Sequence, residues 1–341
     1  MSRISTPTAL FSLLGLVVQN TATIILLKIS FRPSAESYAT STVVFLSELA
    51  KLITCSVLVG CRSQKDLVAT ITSMSTQRLL FLPSALYVLQ NNLLLFGARR
   101  LSPLVYLICT QTKVLTTAAL SRIVLGVRLS RLQFVSLLLL TVGVICVQRE
   151  AIHEQNPVLT EETFSGVLPG LFAVLSAALT SATAGTILEK IYKNSSPERD
   201  RVVHDVWTRN LQLSLISVPF SVIGIASQDK SIVFKGKFLV GYDGIVWCIV
   251  GMQTAGGIII GFVMKYASNI LKCLAVAISV CFCALYSIAT DEMAMSTSTF
   301  IGILAVVAAV FMYSLSPPDG FVPDVQEPFK SKSRRQTGEE N

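Results

Sequence analysis

Long apolar runs alternate with short polar stretches from one end of the chain to the other. Each run holds about 20 residues, enough to carry a helix across a ~30 Å hydrocarbon core. The pattern predicts ten spans, over 8–28, 38–60, 77–97, 103–123, 130–148, 164–188, 206–226, 240–264, 269–289 and 296–316. Period-two alternation is missing and the runs are too long for tilted strands, which argues against a transmembrane β-barrel. The first run lacks a strongly basic leader and a small-x-small cleavage site, so it reads as a permanent span rather than a signal peptide. The expected fold class is an all-α membrane protein.

Composition agrees. Of 341 residues, 52% are hydrophobic and only 14% charged, where a soluble protein would carry about 25% charged residues. The connections are short and leave no room for a soluble catalytic domain. Residues 150–163 form an acidic linker with Pro157, and five spans lie on either side of it. The expected organisation is a first five-helix repeat over 1–149, the linker over 150–163, a second five-helix repeat over 164–316, and a disordered cytosolic tail over 317–341. An odd number of spans per half makes the halves enter the membrane in opposite orientations, the usual plan of a secondary transporter. An ungapped shift of 166 residues pairs Arg99 with Lys265, Ser102 with Ser268, Ser121 with Ser287 and Phe134 with Phe300.

Charge orients the chain. With loops assigned alternately to two sides, eighteen of the 28 lysines and arginines share a side with the N-terminus and eight lie opposite; Lys51 and Lys113 fall inside spans. The positive-inside rule then makes both termini cytosolic. The net charge of +8 reflects this bias and is no nucleic-acid signal. The sequon at Asn194 falls on the cytosolic side and is expected to be unmodified. The eight cysteines lie in or at the ends of apolar runs without a CxxC pair, and His153 and His204 are far apart. They read as packing residues, and neither a metal nor a cofactor is expected. No GxSxG, HExxH or DxD motif is present, so the chain is not expected to be an enzyme.

The candidate chemistry lies in polar residues placed where water is scarce. A lysine at mid-membrane costs about 2.5–3.5 kcal/mol on insertion scales, so it should face a cavity or a partner. Glu48 and Lys51 stand at i, i+3 on one helix face, either neutralising each other or lining a cavity. Gln90, Asn91 and Asn92 spread around one span, so at least one faces the interior, as interhelical glue or as a hydrogen-bonding wall for a polar ligand. Tyr106 and Lys113 share a face, with Gln111 nearby. Lys113 has no acidic residue within a helical turn, and an ammonium so placed suits an anion that arrives and leaves. Lys272 lies one turn into the ninth span. Alone it could snorkel to the interface; with Lys113 it could clamp a diphosphate. Gly256 and Gly257 allow close helix packing or close approach of a ligand.

These residues carry a resemblance. "SELAKL" (47–52), "YVLQNNLLL" (87–95), "QTKVLTTAALS" (111–121), "LEKIYK" (188–193), "WTRNLQL" (207–213) and "GGIIIGFVMKYASNILK" (256–272), in this order, resemble the nucleotide-sugar transporters, the family of CMP-sialic acid, UDP-galactose and UDP-N-acetylglucosamine carriers. The resemblance implies ten helices in two inverted halves and residence in the Golgi membrane, with the endoplasmic reticulum as the alternative. It implies antiport of a cytosolic nucleotide sugar for lumenal nucleoside monophosphate. It also implies that Lys113 and Lys272 hold phosphates and that Asn91, Tyr106 and Asn210 contact the nucleotide. Ser268, Thr110, Thr112, Ser214 and Gly261 depart from residues common in the family or in its CMP-sialic acid carriers, which favours a UDP-sugar, UDP-galactose or UDP-N-acetylglucosamine, exchanged for UMP. A CMP-sialic acid/CMP antiporter, a carrier of another organic anion and a non-transporting scaffold of glycosyltransferases are the alternatives. A homodimer or an association with glycosyltransferases is a further possible partnership.

Overall fold

A computed structural model of the chain describes residues 7–30, 38–72, 74–98, 100–101, 103–155, 164–193, 206–228, 238–291 and 293–315. The tail over 317–341, the sequon and most of the linker lie outside the described residues. Among the described residues every regular element is a helix. They are α1 (Pro7–Ser30), α2 (Thr40–Arg62), α3 (Gln64–Thr72), α4 (Met74–Ala98), α5 (Pro103–Leu125), α6 (Arg131–Gln155), α7 (Phe164–Lys193), α8 (Val206–Gln228), α9 (Gly244–Tyr266), α10 (Asn269–Ala289) and α11 (Thr297–Leu315).

Ten of these fall on the ten apolar runs. The eleventh, α3, was not anticipated. Its first turn is fixed by Ser63, whose hydroxyl accepts the Asp66 amide, and Leu67 anchors it beside Cys55, Val59 and Leu211. Two ends run past the apolar pattern. α6 continues to Gln155, turning the first residues of the expected linker into helix, and α7 continues to Lys193. Eight helices are long and apolar enough to cross a membrane. The two long helices outside that set, α4 and α5, are those diluted by the amide triplet and by Lys113.

Burial is inverted relative to a soluble protein. Phe11, Phe172 and Leu315 are 73%, 76% and 77% exposed, while Asn210, Gln212 and Thr42 are fully buried. A bundle whose solvent is hydrocarbon gains nothing by hiding leucine from it, and helices associate instead through close packing and polar contacts.

The contact pattern has a two-fold character. α4 and α5 pack on α7 as α9 and α10 pack on α1; α2 meets α9 as α8 meets α4. α2 with α8, α6 with α11 and, less extensively, α5 with α10 are contacts between helices that this pairing makes equivalent. The α6–α11 seam is the tightest. A Cβ on Gly302 would lie 2.8 Å from the Gly143 carbonyl oxygen, and one on Gly143 would lie 3.0 Å from the Gly302 carbonyl oxygen. α5 ends at Gly126, whose φ of 67° is left-handed and lets Val127 donate its amide back to the Ser121 carbonyl.

Candidate functional site

Polar side chains from six helices converge around Lys113 and Lys272. Tyr106, Lys113, Thr117 and Ser121 recur along α5 at helical spacing and so share a face. The hydroxyls of Thr117 and Ser121 are buried with no hydrogen-bond partner. From α4, Tyr87 lies within electrostatic reach of Lys113, as do Lys272 and Cys273 of α10. The two ammonium groups therefore face each other from different helices and repel. Neither has a hydrogen bond or an ion pair among the described residues.

Lys272 is placed by the start of α10. Ser268 caps that helix, its hydroxyl accepting the Leu271 amide at 3.2 Å. Glu189 of α7 accepts the Asn269 amide at 2.9 Å and an ion pair from Lys193. Its carboxylate bears on Lys272 and on Tyr313 of α11. Gly185, one turn before Glu189, lets Asn269 come close: a Cβ there would lie 2.4 Å from its side-chain nitrogen.

The amide triplet divides. Gln90 is half-buried and its side-chain oxygen is sealed from solvent without a partner. Asn91 stands seven residues after the buried Ser84 and four after Tyr87, on the same face of α4, and is exposed. Asn92 donates to the Val88 carbonyl of its own helix and lies with the exposed Leu89 and Phe96. It is turned away from the lysines.

Asn210 of α8 is fully buried and pressed against Gly261, where a Cβ would lie 2.5 Å from its amide nitrogen and 3.0 Å from the Tyr192 hydroxyl. Its side-chain oxygen is unpartnered, as is the Tyr192 hydroxyl. Tyr192 feels Arg209 and Tyr87, which joins α8 to the lysine cluster. Tyr106 packs beside Leu101, Cys109 and Val174, and Gln111 is half-buried.

The remaining candidates serve the α1–α2–α9 contact. Lys51 bonds Glu48 at 2.8 Å, and Lys51 is nearly inaccessible while Glu48 is partly open. The Lys51 stem fills the space over Gly257, and the Gln19 amide fills that over Gly256. Gln19 also donates to the Met252 carbonyl at 2.9 Å. The glycines thus admit polar side chains of neighbouring helices.

Tyr87, Glu189, Tyr192, Arg209 and Tyr313 were missed from the sequence. Tyr87 had a legible signal, the i, i+3 and i+4 spacing to Gln90 and Asn91. Glu189 and Arg209 had none, because both read as loop-end charges. Among the described residues no three His, Cys, Asp or Glu side chains group to hold a metal. What the cluster offers is two unpaired cations beside unpartnered donors and acceptors, which suits binding of a polar anion.

A family model described as nucleotide-sugar transporter matches residues 5–314. The UDP-N-acetylglucosamine/UDP-N-acetylgalactosamine transporter nstp-4 of Caenorhabditis elegans is 34% identical over 324 residues, 90% of this chain and 94% of that protein. The human UDP-N-acetylglucosamine transporter is 33% identical over 89% of this chain and 94% of its own. The mouse UDP-galactose translocator is 33% identical over 89% of this chain and 77% of its own. A solved crystal structure shares the fold with a TM-score of 0.64 at 14% identity, covering 91% of this chain and 96% of its own.

Proposed function

The chain belongs to the nucleotide-sugar transporter family, and on that premise we propose that it exchanges a cytosolic UDP-sugar for lumenal UMP across the Golgi membrane. UDP-N-acetylglucosamine and UDP-galactose are the leading substrates; the names of the relatives support both. The observation that carries the reading is the juxtaposition of Lys113 and Lys272, two interior ammonium groups in mutual repulsion. A diphosphate placed between them relieves that repulsion and gains charge-assisted hydrogen bonds from both.

In this reading the ten long helices all cross the membrane, in two inverted halves, α1, α2, α4, α5 and α6 against α7 to α11, with both termini cytosolic. The paired packing relations support the two-fold arrangement. Lys113 then belongs to the first half and Lys272 to the second, so the ligand ties together the parts that must move against each other. Empty, the site carries uncompensated positive charge and reorients reluctantly; a bound nucleotide lowers that barrier. Strict exchange follows from this electrostatics.

Gln90, Asn91 and Asn210 are the proposed contacts to base or sugar, since Gln90 and Asn210 each hold an unpartnered amide oxygen and Asn91 is exposed on the Tyr87 face of α4. Asn92 is left out. Asn91→Ala should therefore slow exchange about two- to tenfold, the worth of one hydrogen bond, whereas Asn92→Ala should transport like the wild type. Initial rates of both variants in the same vesicles check this.

The reading itself is tested in proteoliposomes of purified protein preloaded with UMP. Labelled UDP-N-acetylglucosamine or UDP-galactose should accumulate faster than in vesicles without UMP. Uptake of every nucleotide sugar at the level of UMP-free vesicles would overturn it, and faster uptake with internal CMP than with UMP would move the assignment to a CMP-sugar.

A further inference from the structure

We propose that Glu189 is the resident counter-charge of the phosphate site, a positioning residue that competes with the substrate's phosphates for Lys272 and so sets how tightly nucleotide is held. This rests on the reading of Lys113 and Lys272 as phosphate-binding groups.

Glu189 is 2% exposed. A full charge so deep is costly unless it is paired and hydrogen-bonded. It has two partners. One is the first amide of α10, that of Asn269, at 2.9 Å, where a carboxylate also meets the positive end of the helix dipole. The other is Lys193, one turn along α7, whose side chain is 35% exposed and so shares its charge with solvent. Capping alone does not call for a carboxylate here, since the neutral hydroxyl of Ser268 caps the same helix. Lys272 lies three residues beyond Asn269 on that helix, and among the described residues Glu189 is the carboxylate that bears on it, beside the Cys273 thiol. Among the described residues no carboxylate bears on Lys113.

The ligand-free site therefore holds two ammonium groups and one carboxylate that belongs partly to Lys193. A phosphate bound at Lys272 gains that ammonium but comes near the buried carboxylate, which repels it. Glu189 thus holds affinity below what the two lysines would give by themselves. An exchanger needs this, because a nucleotide held too tightly is not released on the far side.

Two variants read the effect in opposite directions. Glu189→Gln keeps an oxygen to accept the Asn269 amide and removes the charge. The KM for UMP and the UMP concentration giving half-maximal thermal stabilisation should fall about tenfold, the order expected for one charge roughly 10 Å away at an effective dielectric of about 20. Maximal exchange should fall with it as release slows. Lys193→Met removes the outer partner, commits the carboxylate to Lys272, and should raise the KM severalfold.

A purely structural cap predicts instead that Glu189→Gln leaves the KM unchanged or raises it. That result, in protein melting at the wild-type temperature, overturns the proposal. If Glu189→Gln does not fold, an unchanged or lower KM in Lys193→Met overturns it instead. Wild-type UMP affinity in Lys272→Ala would overturn the phosphate site, a failure distinct from that of Glu189.

Discussion

Replacing Lys113 with methionine should cut nucleotide exchange at least tenfold and, in the same protein, raise the melting temperature in the absence of nucleotide. The two effects share one cause. Lys113 has no hydrogen bond or ion pair among the described residues, and the ammonium that faces it, Lys272, repels it. In the ligand-free protein its charge is a net cost, and insertion scales put a central lysine at about 2.5–3.5 kcal/mol. Methionine fills nearly the same volume without the charge, so stability should rise by some part of that amount. In the complex, the ammonium bonds phosphate. A hydrogen bond to a charged group is worth about 1.5–3 kcal/mol, and every 1.4 kcal/mol is about tenfold in affinity, so exchange should fall by ten- to a hundredfold or more. Thermal melting with and without UMP, beside uptake in UMP-loaded vesicles, measures both. A variant that loses stability, or that keeps exchange, contradicts the reading. Retained exchange is what a scaffold would show.

Gly302→Val should be the most destabilising of these substitutions. A Cβ at 302 would lie 2.8 Å from the Gly143 carbonyl oxygen and 2.8 Å from the Val147 amide nitrogen, with Cys146 Cβ at 2.9 Å. Two of those three atoms are backbone of α6, so no side-chain rotation relieves the clash and the helices must separate. Overpacking typically costs about 1–3 kcal/mol. The top of that range or beyond is expected, because the displaced seam carries buried Leu140, Val144, Val147, Val306 and Ala309 with it. Monodispersity after extraction and the melting midpoint of the purified protein report the loss. Gly251→Ala is the control: it lies within α9 with nothing within 4 Å of the added methyl, and alanine restricts the unfolded chain more than glycine, so the midpoint should hold or rise slightly.

In the proposed reading, stability and exchange draw largely on different helices, with Tyr313 placing α11 in both sets. α6 and α11 form a static seam closed by backbone contact, whereas α4, α5, α7, α8 and α10 carry unpartnered polar groups toward one another. The first set has little to gain from mobility. The second keeps Lys113, Lys272, Gln90 and Asn210 without full partners, a cost that, in the proposed exchange, nucleotide binding would relieve and release would restore.

Much of this was legible in the chain. Runs of apolar residues determined the helices, because in hydrocarbon every backbone group must be satisfied within its own segment. Any residue that interrupts such a run is conspicuous, which is why Lys113, the amide triplet and the Glu48–Lys51 pair stood out. The spacing of Glu48 and Lys51 placed both on one helix face and allowed either an ion pair or a cavity lining; the structure shows the ion pair. Lys272 was visible as a charge near a helix start, and the order of the polar segments pointed to the family.

Only the tertiary structure decided which face of each helix meets which neighbour. Periodicity orients residues relative to their own helix and says nothing of the helix across the gap. That is why spacing alone did not separate Asn91 from Asn92, adjacent in sequence, although the family resemblance favoured Asn91. The carboxylate that bears on Lys272 was hidden for the same reason: Glu189 lies 83 residues earlier in the chain and reaches α10 where Gly185 lets α7 come close to Asn269. Gly256 and Gly257 were open to two readings until Gln19 and Lys51 were found lying over them. A sequence specifies each helix by local chemistry, while the charge that balances a buried ammonium is supplied through space, by whichever helix the packing brings beside it.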